Sequence, residues 1–185
     1  MSITFESVQK NDTINTYIRK ADESLSALGY TEHSFAHVTR TAFDAACILK
    51  ETGHDDRLAE LAAIAGYLHD IGNVINRNGH ERSGALMAFA LLNDMGAAAE
   101  DIATVVTAIG NHDESTAFPV NDVAAALILA DKTDVRYTRV RNKDNVTNDI
   151  HDRVNYAVRQ SKVVVNREQA EINLMLTIDT GICSI

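Results

Sequence analysis

The amino-acid sequence predicts an all-α bundle closed by a small C-terminal β-hairpin, and three observations carry that expectation. Pro119 is the single proline and only 5% of residues are aromatic, so few residues break helices or favour large sheets. Apolar residues recur at helical spacing through most of the first 160 positions. Beyond them the pattern changes to β-branched and alternating residues. The expected organisation is a helical domain over 1–160 and a hairpin extension over 161–185, packed on it or at a dimer interface.

Taken in order, residues 12–28 form a first helix that Gly29 stops as a C-terminal cap. Residues 34–51 form a second, with Phe35, Val38, Ala42, Ala45, Ala46 and Leu49 near helical spacing and Gly53 after it. A third covers 56–70, and the polar "NVINRNG" leads to a fourth that begins near His80 and ends at Gly96. Residues 98–109 form a fifth. After the loop "NHDESTAFP", the stretch "DVAAALILADKTDVRYTRV" reads as a sixth helix N-capped by Asn121. "TNDIHDRVNYAVRQS" reads as a seventh. "KVVVN" and "INLMLTID", separated by "REQAE", are the hairpin strands. An isolated hairpin is marginal in water, so it needs the helices or a second subunit against it.

The bulk composition narrows the function classes. A chain of 185 residues favours one domain with a sizeable core. A formal charge of −9 argues against broad nucleic-acid binding, which leaves a basic footprint. Cys47 and Cys183 have no CxxC partners, so neither a disulfide framework nor a zinc–thiolate site is indicated. No run approaches the ~20 apolar residues of a membrane helix, and "MSITFESVQKNDT" does not read as a signal peptide. A cytoplasmic protein is the expectation.

One stretch does not fit a bland bundle. The apolar "LAELAAIAGYL" ends in His69 and Asp70. An aspartate facing the negative end of a helix dipole costs on the order of 0.3–1 kcal/mol unless a cation lies near it. His37 lies in the second helix, His80 opens the fourth, His112 follows the fifth, and Asp131 interrupts the sixth. Helical bundles build metal sites from side chains on facing helices in this way. Imidazole and carboxylate suit iron, manganese or zinc, and no cysteine lies near for softer chemistry. His37, His69, Asp70 and Asp131 would surround one ion, and Asp70 would bridge to a second held by His80 and His112. Asp113 follows His112 directly and is a further candidate oxygen ligand.

The order His37, His69-Asp70, Asp131, with "LHDIG" at the helix end and "LADK" around the last aspartate, resembles the HD-domain superfamily of metal-dependent phosphohydrolases over roughly residues 33–141. His80 in "HERSG" and His112 make it similar to the dinuclear branch, which includes diadenosine tetraphosphate hydrolases and cyclic-dinucleotide phosphodiesterases. The resemblance implies hydrolysis of a phosphoester or phosphoanhydride, nucleotide-like, by a metal-activated hydroxide. It implies divalent cofactors, two in number, iron or manganese first and zinc, magnesium, nickel or cobalt as alternatives. Two departures stand out. Many relatives carry lysine where this chain has Asn73, and the cyclic-diguanylate group often has histidine where this chain has Asp113. That group's Gly-x-Gly-Tyr-Pro stretch is also missing.

Residues 132–143 hold five cations and one anion, a net +4 against −13 for the rest of the chain. If the sixth helix ran on, Lys132, Arg136, Arg139 and Lys143 would form one stripe beside Asp131. Lys132 and Arg136, with Asp70 at the centre, are the expected catalytic residues, because guanidinium and ammonium groups neutralise phosphate oxygens. Arg40, one turn after His37, points toward the same cavity, and His33 toward its mouth. The second His-Asp pair, His151-Asp152, follows the polar "DNVTND" and reads as a solvated face. Two other readings stay open: a mononuclear nucleotidase in which His80 and His112 contact substrate, and a regulatory module without turnover. The expected partner is a small phosphorylated substrate; a homodimer through the hairpin is the other interaction in view.

Overall fold

The apolar run before His69 is the centre of the bundle. In the computed structural model, which describes residues 3–141 and 150–182, every residue from Leu61 to Asp70 is buried. A helix apolar all round belongs inside a core rather than on its surface, and each fully buried Leu or Ile contributes about 1.5–3 kcal/mol. That helix, α4 (Asp56–Leu68), packs against α3 (Phe35–Thr52), α6 (Ala99–Gly110) and α7 (Asp122–Thr133). Helix α2 (Asp12–Ala27) lies against the 3-10 turn Ile71–Val74, and α5 (His80–Asp94) pairs with α6. The short α1 (Phe5–Gln9) touches α4. No helix among the described residues is long and apolar enough to cross a membrane.

Local sequence explains most boundaries. Ser34, Asp55 and Asn121 accept backbone N–H bonds at the starts of α3, α4 and α7, satisfying donors that a helix start leaves free. Gly53 takes a left-handed conformation, φ 99°, where a side chain would be strained. Helix α1 was not anticipated. Its signal is the reciprocal cap between Thr4 and Ser7, too local for a periodicity argument.

The last third differs from the reading above. The sixth helix stops at Thr133 instead of running to 140, because Asp134 turns inward with φ −77° and ψ 69°. The stripe beside Asp131 therefore does not form, and Lys143 lies outside the described residues. The seventh predicted helix also shortens. Helix α8 (Ile150–Ala157) gives way to strand β1 at Val158, and β1 (Val158–Asn166) pairs antiparallel with β2 (Glu171–Ile178). Val158 is buried opposite Ile178, and the Asp179 N–H bonds the Ala157 carbonyl at 2.8 Å. Sheet pairing there overrides helical propensity.

The hairpin reaches the bundle through β1. Ser161 Oγ donates to the Thr133 carbonyl at 2.6 Å, and Arg40 donates to the Ser161 carbonyl at 2.7 Å. Strand β2 faces outward, with Ile172, Leu174, Met175 and Leu176 exposed.

Candidate metal centre

Two close approaches of backbone bring the site together. A Cβ on Gly66 would lie 2.7 Å from the Ala42 Cα, so α3 and α4 pack closer than any side chain at 66 permits. A Cβ on Gly72 would lie 2.0 Å from the His80 carbonyl oxygen, which seats the start of α5 against the turn that follows Asp70. These two contacts set His37 beside His69 and His80 beside Asp70.

His69 is the C-cap of α4, and Asp70 precedes the 3-10 turn. Asp70 lies in the middle of the cluster. Its Oδ2 is 3.2 Å from His69 Nε2 and 3.6 Å from His37 Nε2, while its Oδ1 is 3.6 Å from His80 Nε2. Asp131 Oδ1 is 3.3 Å from His37 Nε2 and 3.6 Å from His69 Nε2. His80 and His112 face each other with their Nε2 atoms 3.2 Å apart. All six expected ligands thus converge, in overlapping groups: His37, His69 and Asp70; His69, His112 and Asp131; Asp70, His80 and His112. His37, His69, Asp70, His80 and His112 are all buried.

The supporting hydrogen bonds define what the cluster needs. Each histidine directs Nδ1 to an acceptor: His37 to Asp134 Oδ2 at 2.8 Å, His69 to the Gly66 carbonyl at 2.8 Å, His80 to the Arg77 carbonyl at 3.0 Å and His112 to the Ile109 carbonyl at 2.7 Å. A carbonyl or carboxylate accepts only from N–H, so the proton sits on Nδ1 and the Nε2 lone pairs point inward. The lone pairs of His37 and His69 meet at 3.3 Å with no proton between them in the neutral rings. Asp70 Oδ2 is buried with no hydrogen-bond donor of its own. Two facing lone pairs and an orphaned carboxylate oxygen are a donor set made for a cation.

Electrostatics agree. Burial works against charging His69, but the carboxylates of Asp70 and Asp131 outweigh it and raise the imidazolium pKa to about 10. Without a metal, a proton on His69 takes the cation's place. Burial opposes ionisation of Asp70 as well, yet the imidazoles of His69, His33 and His37 hold it well below the usual carboxylate range. At the other end burial dominates, pushing His112 down to about 4 and lowering His80. Those two stay neutral near pH 7, the form that binds metals.

A cavity of about 460 Å³ opens over the cluster; its lining includes Asp70, His80, His112, Asp113, Asp131 and Lys132. Lys132 Nζ lies 2.9 Å from Asp131 Oδ2 and 3.7 Å from Glu114, so it orients Asp131 and leaves Oδ1 for the cluster. Asp113 Oδ1 is 4.0 Å from His80 Nε2, at the edge of the group. His33 reaches the cavity as expected, edge-on to His37 with ring centroids 5.4 Å apart.

Arg136 is not at the cavity. With the helix broken at Thr133, it donates to Asp134 Oδ1 at 2.8 Å and to Glu32 at 3.0 Å. On a continuous helix residues two apart point in different directions, so the break is what permits the first contact. Arg139 donates to the Glu32 and Asp134 carbonyls, and Arg40 lies 3.6 Å from Asp134 Oδ1. Arg136 and Arg40, expected toward the cavity, instead flank the Asp134 carboxylate behind His37, and Arg139 bonds the Asp134 carbonyl from the cavity wall.

Three contributors escaped the sequence reading. Asp134 orients His37, and its signal was a second aspartate one turn after Asp131 in "DKTD". Asn73 was read only as a missing lysine, yet its Nδ2 holds both the Asp70 carbonyl and Oδ1 at 2.9 Å. Arg77 lines the cavity and donates to His80 Nε2 at 3.2 Å; nothing in the linear pattern marked it.

The family model for the HD domain matches residues 34–136. A solved structure of a predicted HD superfamily hydrolase from an uncultured Thermotogales bacterium is similar, with 26% identity and a TM-score of 0.53 over 67% of this chain and 67% of that one. No curated protein matches the chain.

Proposed function

Because this chain belongs to the HD domain family, we propose that it is a metal-dependent hydrolase that cleaves a phosphoester or phosphoanhydride of nucleotide size. The observation that carries the proposal is the inward convergence of four histidine Nε2 atoms around Asp70, with Asp70, His80, His112 and Asp131 lining one cavity. His37, His69, Asp70 and Asp131 would hold one divalent ion, and Asp70, His80 and His112 a second. Ions held there would supply Lewis acidity toward phosphoryl oxygens and lower the pKa of water toward about 7.

The chain's own residues do the rest. Asp134 and the Gly66, Arg77 and Ile109 carbonyls fix the ring orientations, so no reorganisation is needed when charge develops. Asn73 aims Asp70 between the two groups. Lys132, half-exposed on the cavity wall, is the nearest ammonium to a phosphate seated over the cluster. The cavity volume falls in the range of small-molecule sites, roughly 300–1,000 Å³, which suits a mononucleotide-sized substrate.

Metal analysis joined to a screen of phosphorylated metabolites tests this reading. The expected result is two equivalents of metal per chain and release of phosphate that stops on chelation. Iron and manganese are the first metals to supply. One equivalent, unchanged in His80→Ala, would favour the mononuclear nucleotidase. Full metal loading with no phosphoester cleaved would leave a regulatory module.

A further inference from the structure

Among the described residues, Arg77 is the strong cation on the cavity wall that forms no close ion pair. Three cationic side chains among those residues line the cavity: Arg77, Lys132 and Arg139. Lys132 is paired with Asp131 and Glu114. Arg139 is buried and bonded to the Glu32 and Asp134 carbonyls, with Asp134 Oδ2 3.9 Å away. Arg77 makes no ion pair of that kind among the described residues. Its guanidinium lies 5.7 Å from the centroid of the Tyr30 ring, and one N–H group donates to His80 Nε2.

That last bond cannot coexist with metal ligation at the same nitrogen, since one lone pair serves one partner. Resting on the hydrolase reading above, we propose that Arg77 is the residue that grips the substrate's phosphoryl group at the His80–His112 end of the cavity. A guanidinium released from His80 has several N–H donors in a planar fork that matches two phosphate oxygens. Tyr30 supports its face, so little order is lost when the fork closes on an anion. Asp113 is the competing acceptor. Ser115 occupies its Oδ2 through N–H and hydroxyl bonds, and its Oδ1 lies 4.0 Å from His80 Nε2 without a close ion pair to Arg77 among the described residues.

Calorimetric titration of inorganic phosphate into metal-loaded protein tests the assignment, with metal content measured on every sample. Arg77→Gln is expected to weaken phosphate binding about 10–100-fold, the size of losing a charge-assisted bidentate contact, at unchanged metal content. Arg77→Lys, a point charge without the fork, should fall between. If a substrate is in hand, KM rises in Arg77→Gln by more than kcat falls. Phosphate affinity within twofold of wild type in Arg77→Gln overturns the assignment, and so does loss of metal, which would make Arg77 a structural support of His80. Wild-type protein that binds phosphate through Arg77 but cleaves no phosphoester would sink the hydrolase reading and leave this one standing.

Discussion

The cluster of candidate ligands has two ends that are built from different materials. At one, His37 and Asp131 project from helices inside the bundle and three carboxylates crowd together: Asp70, Asp131 and Asp134. Arginines answer the outermost of them. At the other, His80 opens α5 and His112 follows α6, and both are steadied by backbone carbonyls. The first end is rich in negative charge and raises the pKa of His69 to about 10; at the second, burial pushes His112 down to about 4. Similar imidazoles thus face opposite demands. One end needs a cation at all times, a proton or a metal, while the other presents neutral nitrogen whatever is bound.

The largest effect expected comes from the residue both ends share. Asp70→Ala should remove both equivalents of metal and lower hydrolysis by on the order of 10²–10³-fold or more; metal content measured after dialysis decides it, and retained metal with activity would refute the bridging role. Next is Asp134→Asn, which keeps the shape but lets His37 take the other tautomer. Loss of such a supporting partner weakens metal affinity about 10–100-fold. A competition titration should show one weakened equivalent and one unaffected, and equal weakening would mean that the ends are not separate.

The pH dependence sharpens the contrast further. Since the metal-free protein keeps His69 protonated up to about pH 10, metal entering that end must displace one proton. Affinity there should rise about tenfold per pH unit from 6 to 8, a one-proton linkage. The His80–His112 equivalent should be flat over that range, because its rings are already neutral. Two parallel slopes in a binding titration would contradict the asymmetry. The smallest effect belongs to Gly72→Ala. Its new Cβ would meet the His80 carbonyl, an overpacking of about 1–3 kcal/mol. Thermal denaturation should register that loss, and metal at the His80 end should suffer before metal at the His37 end.

Much of this molecule was legible in one dimension. Helical spacing, capping residues and the glycines at 29 and 53 placed the first five helices within a residue or two, since those signals act over a single turn. The six clustered side chains were legible because polar side chains on apolar helices demand a shared reason, and a metal would supply one. What failed was everything that depended on distant partners. The sixth helix looked continuous to 140 because its local pattern is helical. Only the pull of His37 on Asp134, ninety-seven positions apart, shows why the chain breaks at Thr133.

The linear order of residues determined by itself an all-α chain with a closing hairpin and a metal-ligating set, because periodicity and ligand chemistry are properties of residue type. The folded structure alone decided how the six side chains group, that Arg136 bonds the carboxylate behind His37, and that Arg77 lies on the cavity wall against His80. Those are matters of direction and distance. They arise where backbones meet closely at Gly66 and Gly72, and no spacing along the chain encodes such a meeting.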